Sequence, residues 1–305
     1  MSRHSSPPEI AEVRLHGSDS HAEGAQRALG GVLGFAALLL TLAVAASLLL
    51  VAALGADVGS LASTRWNPAQ GAFGVLPFLM GTILVATLAM VVAMPVGVLA
   101  AVYLAELAPP RLARGGAVTL ELMAATPAVV IGAWGRATVV PALREVGTAV
   151  GVAPDGHGFG VVAASLVLAV MTVPTIATVV RAILRALPDE LREGPMALGV
   201  TRWETILNVL LPCARRGLVA AGALGFGRAL GETIAVSMVI GGRPVMWPSL
   251  GGPAATASSV LVDELLDATH PAHLAALAAL ALVLLLFGAG TSAAARFISE
   301  KGGRP

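Results

Sequence analysis

The sequence predicts an all-α integral membrane protein of six transmembrane helices, on three observations. The 305 residues are 56% hydrophobic and 12% charged, with a mean hydropathy of +0.84, a composition that soluble domains do not reach. Uncharged stretches long enough to cross a hydrocarbon core of roughly 30 Å recur along the chain. Basic residues gather in alternate connecting segments, as a fixed orientation in a bilayer requires.

Residues 1–28 mix Ser, Pro, His and both charges without apolar periodicity, which reads as a mobile cytoplasmic tail. The first helix is expected over residues 29–54. Its apolar run is longer than a signal-peptide core, so it is expected to stay as an anchor. Further helices are expected near 75–103, 117–135, 159–181, 217–241 and 273–296, within a core spanning 72–298, before a cytoplasmic tail at 299–305. With the N-terminus inside, fourteen of the 19 basic residues face the cytoplasm and four (Arg65, Arg136, Arg144 and Arg243) face out, leaving Arg228 within the membrane. Both termini are therefore expected in the cytoplasm.

The external segments 55–74, 136–158 and 242–271 are rich in Gly and Pro and carry formal charges of zero, zero and minus two. They offer no positive funnel for an anion. Pro95, Pro127 and Pro174 fall inside expected helices, where each frees backbone carbonyls that neighbours or a polar cavity must satisfy. At Pro127, with Thr126 before it and Gly132 and Gly135 after it, a half-helix could present N–H groups to an anion; a packing kink is the alternative. Cys213 is the only cysteine, which excludes an intrachain disulfide and a cysteine metal cluster. The six histidines fall outside the expected helices and His270 and His273 read as a loop detail, so no metal or other cofactor is expected.

The run Arg228–Thr233 places an arginine and a glutamate in a segment otherwise uncharged between Arg216 and Arg243. At about 1.5 Å per residue, Arg228 sits roughly 18 Å in from Arg216, near the bilayer midplane. A charge there costs about 2.5–3.5 kcal/mol on insertion scales, and chains keep it on substrate paths, relays or buried pairs. On a continuous helix Glu232, four residues on, shares the face of Arg228 and can hold its guanidinium while no anion is bound. A permanent ion pair that fixes the helix against a neighbour is the alternative. Glu121, near the cytoplasmic interface, reads as a snorkelling or capping residue.

The longest internal hydrophilic stretch, 182–216, has Leu198, Ile206, Val209 and Leu210 at helix-like spacing, Trp203 among them, and Gly199 where one short helix would turn into another. From periodicity alone this is an amphipathic surface helix. Glu193, Gly199 and Leu211-Pro212, spaced E-x5-G-x11-LP, resemble the cytoplasmic EAA loop of ABC importer permeases. The resemblance implies an ABC type I importer permease fold, with 182–216 as the coupling loop that docks on a separate ATPase. Glu193, Ala197, Leu198, Gly199 and Trp203 would be the docking contacts. Gly194 and Pro195 replace the family's alanines and Val209 its usual isoleucine. Pro195 is expected to open the coupling helix, where no N–H bond is lost.

Three further stretches, Gly227 to Gly242 (GRALGETIAVSMVIGG), Pro77 to Leu107 and Glu121 to Gly135, resemble permeases of phosphate importers of the PstC type. That resemblance implies the transmembrane subunit of an ATP-driven importer of inorganic phosphate in the bacterial inner membrane. The subunit would be no enzyme itself. Its partners would be a PstA-type permease, two PstB-type ATPases and a periplasmic or lipid-anchored phosphate-binding protein, which would answer the missing funnel. The substrate path would include Arg228, Glu232, Thr233 and Thr126, because a guanidinium holds tetrahedral oxygens through fixed parallel donors. The family's serine after the third-helix proline, and the aromatic residue before the following glycine, are Ala128 and Ile131 here. Thr126 or Thr233 is the candidate substitute for that missing hydroxyl.

The one lysine, Lys301, lies between Glu300 and Gly302, outside any Walker A pattern, so ATP hydrolysis is assigned to a partner. A permease for molybdate, sulfate or phosphonate is the nearest alternative. A proton-coupled secondary transporter would show inverted repeats and a membrane proton relay, for which only Glu121 and Glu232 are present. An intramembrane enzyme would need a metal or nucleophile constellation at membrane depth. No nucleic-acid partner is expected.

Overall fold

The computed structural model describes residues 41–47, 49–50, 52–53, 62–150 and 158–300, and the chain divides into two compact units, 1–50 and 51–305. In the first unit residues 41–47 form an apolar helical segment, with the Ser47 hydroxyl donating to the Val44 carbonyl at 2.8 Å. The expected tail 1–28 and most of the expected first helix lie outside the described residues.

In the second unit a small hairpin, β1 (Trp66–Asn67) and β2 (Ala72–Phe73), precedes eleven α-helices among the described residues. In chain order these are α1 (Leu76–Val102), α2 (Pro110–Ala125), α3 (Ala128–Trp134), α4 (Val140–Val150), α5 (Val161–Arg185), α6 (Glu190–Ala197), α7 (Arg202–Thr205), α8 (Leu211–Gly231), α9 (Ile234–Ile240), α10 (Ala257–Glu264) and α11 (Pro271–Glu300). Turns of π type, at Tyr103–Leu107, Gly135–Val139 and Ile206–Leu210, prolong α1, join α3 to α4 and join α7 to α8.

The expected count of six is not reached among the described residues. Four helices are long and apolar enough to cross a membrane: α1 with its extension, α5, the α7–α8 rod and the first 21 residues of α11. The helix expected at 117–135 is broken, because α2 and the α3–α4 run meet at 94°. Pro127 explains the break: it forces Thr126 into extended backbone (φ −64°, ψ 129°) and cannot donate back into α2. The helix expected at 217–241 is also two pieces, with Glu232 extended (φ −72°, ψ 123°) between α8 and α9.

α5 is the central element, and its most extensive partner is α1. Ile176, fully buried on α5, is gripped from two sides. A Cβ on Gly97 of α1 would approach Ile176 to 2.8 Å, and one on Gly225 of α8 to 2.9 Å. Two glycines therefore let α1 and α8 close onto α5 at backbone distance, as small residues do between membrane helices.

The stretch 242–271, expected as an external loop, contains the helix α10, which is buried over Ala257–Val260. It starts in a reciprocal cap: the Ser259 N–H donates to Thr256 Oγ1 at 3.1 Å, and the Thr256 N–H to Ser259 Oγ at 2.9 Å. The Ala257 N–H is taken by Thr82 Oγ1 of α1 at 2.9 Å. His273, expected in a loop, belongs to the first turn of α11. It is buried, meets Glu264 Oε2 at 2.9 Å and stacks on Phe73. Glu264 also accepts from Trp66 Nε1, so the hairpin is tied to α10 and α11.

Candidate functional site

The two breaks in the membrane helices lie next to one another through the half-helices that follow them. α3 packs on α9, and Gly132 makes the approach possible, since a Cβ there would come within 2.9 Å of Ala235 Cα. Each half-helix begins with orphan N–H groups and the positive end of its dipole.

At the second break the expected Arg228–Glu232 face does not form. The expectation assumed a continuous helix, and four residues then bring two side chains onto one face. Here α8 ends at Gly231, and the Glu232 carboxylate points the other way, accepting from the Ala235 N–H at 3.5 Å in the first turn of α9. The glutamate caps the half-helix. Its own carbonyl, released by the break, accepts from the buried Ser258 hydroxyl of α10 at 2.9 Å, so the hinge is stabilised from a region read as loop. Thr233 Oγ1 donates to the Gly231 carbonyl at 3.2 Å.

Arg228, in the last turn of α8, is exposed, and among the described residues no carboxylate lies within 4.0 Å of it. Thr126 sits at the other break with its hydroxyl donating to the Leu122 carbonyl at 3.0 Å. The structure thus brings Glu232 and Thr233 to one hinge, leaves Arg228 a turn before it, and joins Thr126 to them only through the α3–α9 packing.

The hydrophilic stretch 182–216 is built as a turn between short helices. α6 ends in a Schellman cap: the Gly199 N–H donates to the Met196 carbonyl and the Val200 N–H to that of Pro195, with Gly199 at φ +85°. α7 opens with a capping box, in which Thr201 and Glu204 satisfy each other's backbone N–H. Leu198 is 86% exposed and Trp203 48% exposed at the crest, and Glu193, Ala197 and Gly199 are exposed beside them. Pro195 does not open α6, as expected, but is its sixth residue; the helix starts earlier, where the Asp189 carbonyl accepts from the Arg192 and Glu193 N–H groups.

A residue counted in the sequence only as a basic charge anchors this loop. Arg192 of α6 donates through Nε and Nη2 to the two oxygens of Glu106 at 3.1 and 2.9 Å. Its remaining N–H groups go to the carbonyls of Leu184 at 2.6 Å and Leu187 at 2.8 Å and to Asp189 at 3.1 Å. All five guanidinium donors are used. Glu106 is buried in the π-type turn that prolongs α1. Its hydrogen bonds raise the Arg192 pKa further, so the guanidinium stays charged. The anchor ties α6 to both the extension of α1 and the end of α5. Its partners are 86 residues apart in the chain, and no local pattern announces them.

Residues 93–301 match the family described as "Binding-protein-dependent transport system inner membrane component". The chain belongs to this family. It is 36% identical over 237 residues to the phosphate transport system permease protein PstC of Xylella fastidiosa, covering 73% of each chain. It is 38% identical over 248 residues to the phosphate transport system permease protein PstC 1 of Mycobacterium tuberculosis, covering 75% of this chain and 73% of that one. Among solved structures, an inward-facing form of the MetNI methionine ABC transporter superposes with a TM-score of 0.52 at 22% identity, over 77% of this chain and 99% of that one. That likeness gives the fold, the type I importer permease. The chain is therefore a non-catalytic membrane subunit of an ABC importer, which works with a separate ATPase and a substrate-binding partner.

Proposed function

We propose that this permease carries inorganic phosphate, and that Arg228 at the α8–α9 hinge is the cation that receives it. The exposed Arg228, with no carboxylate partner among the described residues, carries the reading. An arginine facing lipid near the midplane would cost about 2.5–3.5 kcal/mol. Facing a second permease chain across a polar path, it offers a fork of donors to a tetrahedral anion.

The relatives named as phosphate permeases and the wording of residues 227–242 support phosphate over other oxyanions. The hinge supports passage: the helix breaks one turn after the arginine, and broken helices at membrane depth are tolerated where backbone lines a cavity. Glu232 holds the α9 N-terminus, and Thr233 and Thr126 supply hydroxyls at the two breaks. The partner permease is of PstA type, the ATPase pair of PstB type, and a phosphate-binding protein delivers substrate from outside. The loop crest at Glu193, Ala197, Leu198, Gly199 and Trp203 docks on the ATPase. Both termini lie in the cytoplasm, with the core at 72–298 and the first transmembrane helix at 29–54.

Radiolabelled phosphate uptake tests the substrate, in cells lacking their own high-affinity system and expressing this chain with its neighbouring subunits. Uptake that excess sulfate or molybdate does not suppress is expected. Uptake abolished by either competitor, or absent from a well-assembled complex, overturns the phosphate assignment.

A further inference from the structure

We propose that a pocket between the end of α1, the first half of α2 and the last turns of α5 binds a phosphate group through Arg181, Arg185 and Arg114. The pocket has a volume of about 500 Å³. It lies at the end of the core from which the coupling loop leaves, because Arg185 is the last residue of α5. It is separate from the α8–α9 hinge, and none of its lining residues belongs to the hinge or to the coupling crest.

The cations in this pocket lack partners among the described residues. Arg181 Nε is buried and has no hydrogen-bond acceptor there. Among the described residues no ion pair or side-chain hydrogen bond is made by Arg114, Arg181 or Arg185. Glu121 lines the same pocket and opposes an anion, which leaves three cations against one carboxylate. A buried guanidinium N–H left without an acceptor is strongly disfavoured, and Arg192, only seven residues beyond Arg185, shows what satisfaction looks like on the same loop. The missing partner is an acceptor with several oxygens. A phosphate group suits the forked, parallel donors of arginine, while Leu104, Ala117 and Val118 leave part of the wall apolar.

Two sources carry that chemistry. One is inorganic phosphate leaving the transport path, which rests on the substrate reading above. The other is the headgroup of an anionic phospholipid, which juxtamembrane arginines attract and which rests only on membrane insertion.

The test uses the full complex with its partner permease and ATPases, in nanodiscs of zwitterionic lipid doped with phosphatidylglycerol. All samples carry Arg228→Ala, to remove binding at the hinge. Two quantities are read: binding of radiolabelled inorganic phosphate, and phosphatidylglycerol retained per complex by native mass spectrometry. Adding Arg181→Gln with Arg185→Gln is expected to weaken phosphate binding about tenfold or to remove most of the retained lipid, since a charge-assisted fork is lost. The quantity that falls identifies the source. If the double variant fails to assemble, Arg185→Gln alone, at an exposed side chain, repeats the measurement with a smaller fall expected. No change in either quantity, or no binding of either ligand before substitution, overturns the site. Because the retained lipid is read independently of uptake, failure of the phosphate substrate assignment does not mimic failure of this site.

Discussion

Arg192 and Arg228 are the same residue type in two opposite situations. Arg192 directs five N–H donors to two carboxylates and two carbonyls, across three separate elements. Arg228 directs none to a described carboxylate and stands at a helix break whose glutamate has turned away to cap the next helix. A saturated cation fixes geometry, and an exposed one with no described carboxylate partner leaves its donors open. The loop proposed to dock on the ATPase needs the first property, because a docking helix moves the core only if it is tied to it. A path needs the second, because a guanidinium already held on all sides would gain little from an anion and would release its own anchor to take it.

Arg228→Ala is expected to cut phosphate uptake by about 30- to 100-fold, the loss of one or two charge-assisted bonds, with amount and thermal stability of the assembled complex unchanged. Arg192→Ala is expected to act the other way round. It strands the buried Glu106 carboxylate, which costs about 3 kcal/mol, so the melting temperature of the purified complex falls and less complex reaches the membrane. Adding Glu106→Gln to that variant is expected to recover part of the stability, and no recovery would show that Glu106 is not the stranded group. Ser258→Ala is smaller, at about 1 kcal/mol, because it removes the one donor that the released Glu232 carbonyl has from α10; faster hydrogen exchange at 234–237 than in the wild type checks it. Smallest is Glu232→Gln, expected to cost about 0.3–1 kcal/mol through the lost carboxylate at the α9 N-terminus, read by the same exchange. A large collapse of stability in Glu232→Gln would restore the permanent ion pair as the better account.

What the sequence made legible follows local chemistry. The turn at Gly199, the break at Pro127 and the apolar spans of α1, α5, α8 and α11 all had near neighbours in the chain to signal them. The second break had none. No proline occurs between Pro212 and Pro244, the apolar pattern runs on through Ile234 and Val236, and only Gly231 and Thr233 mark the place where the helix stops. Reading that stretch as one helix put Glu232 on the face of Arg228. α10 was missed because Ala254–Ser259 is a run of small and polar residues that reads as loop, and its cap uses Ser259 where a glutamate or glutamine would have announced a helix. The Glu106–Arg192 anchor is a product of the tertiary fold, invisible to any window along the chain, and the pairing of His273 with Glu264, nine residues apart, depends on how α10 turns into α11.

The most direct test of the division between a fixing and a receiving arginine is a three-way uptake series, wild type, Arg228→Lys and Arg228→Ala, normalised to assembled complex and paired with melting curves. The account predicts uptake falling in that order, because lysine keeps the charge without the fork, while all three complexes melt alike. Wild-type uptake in Arg228→Ala, or a melting temperature lowered as far as in Arg192→Ala, would contradict it and make Arg228 a structural residue.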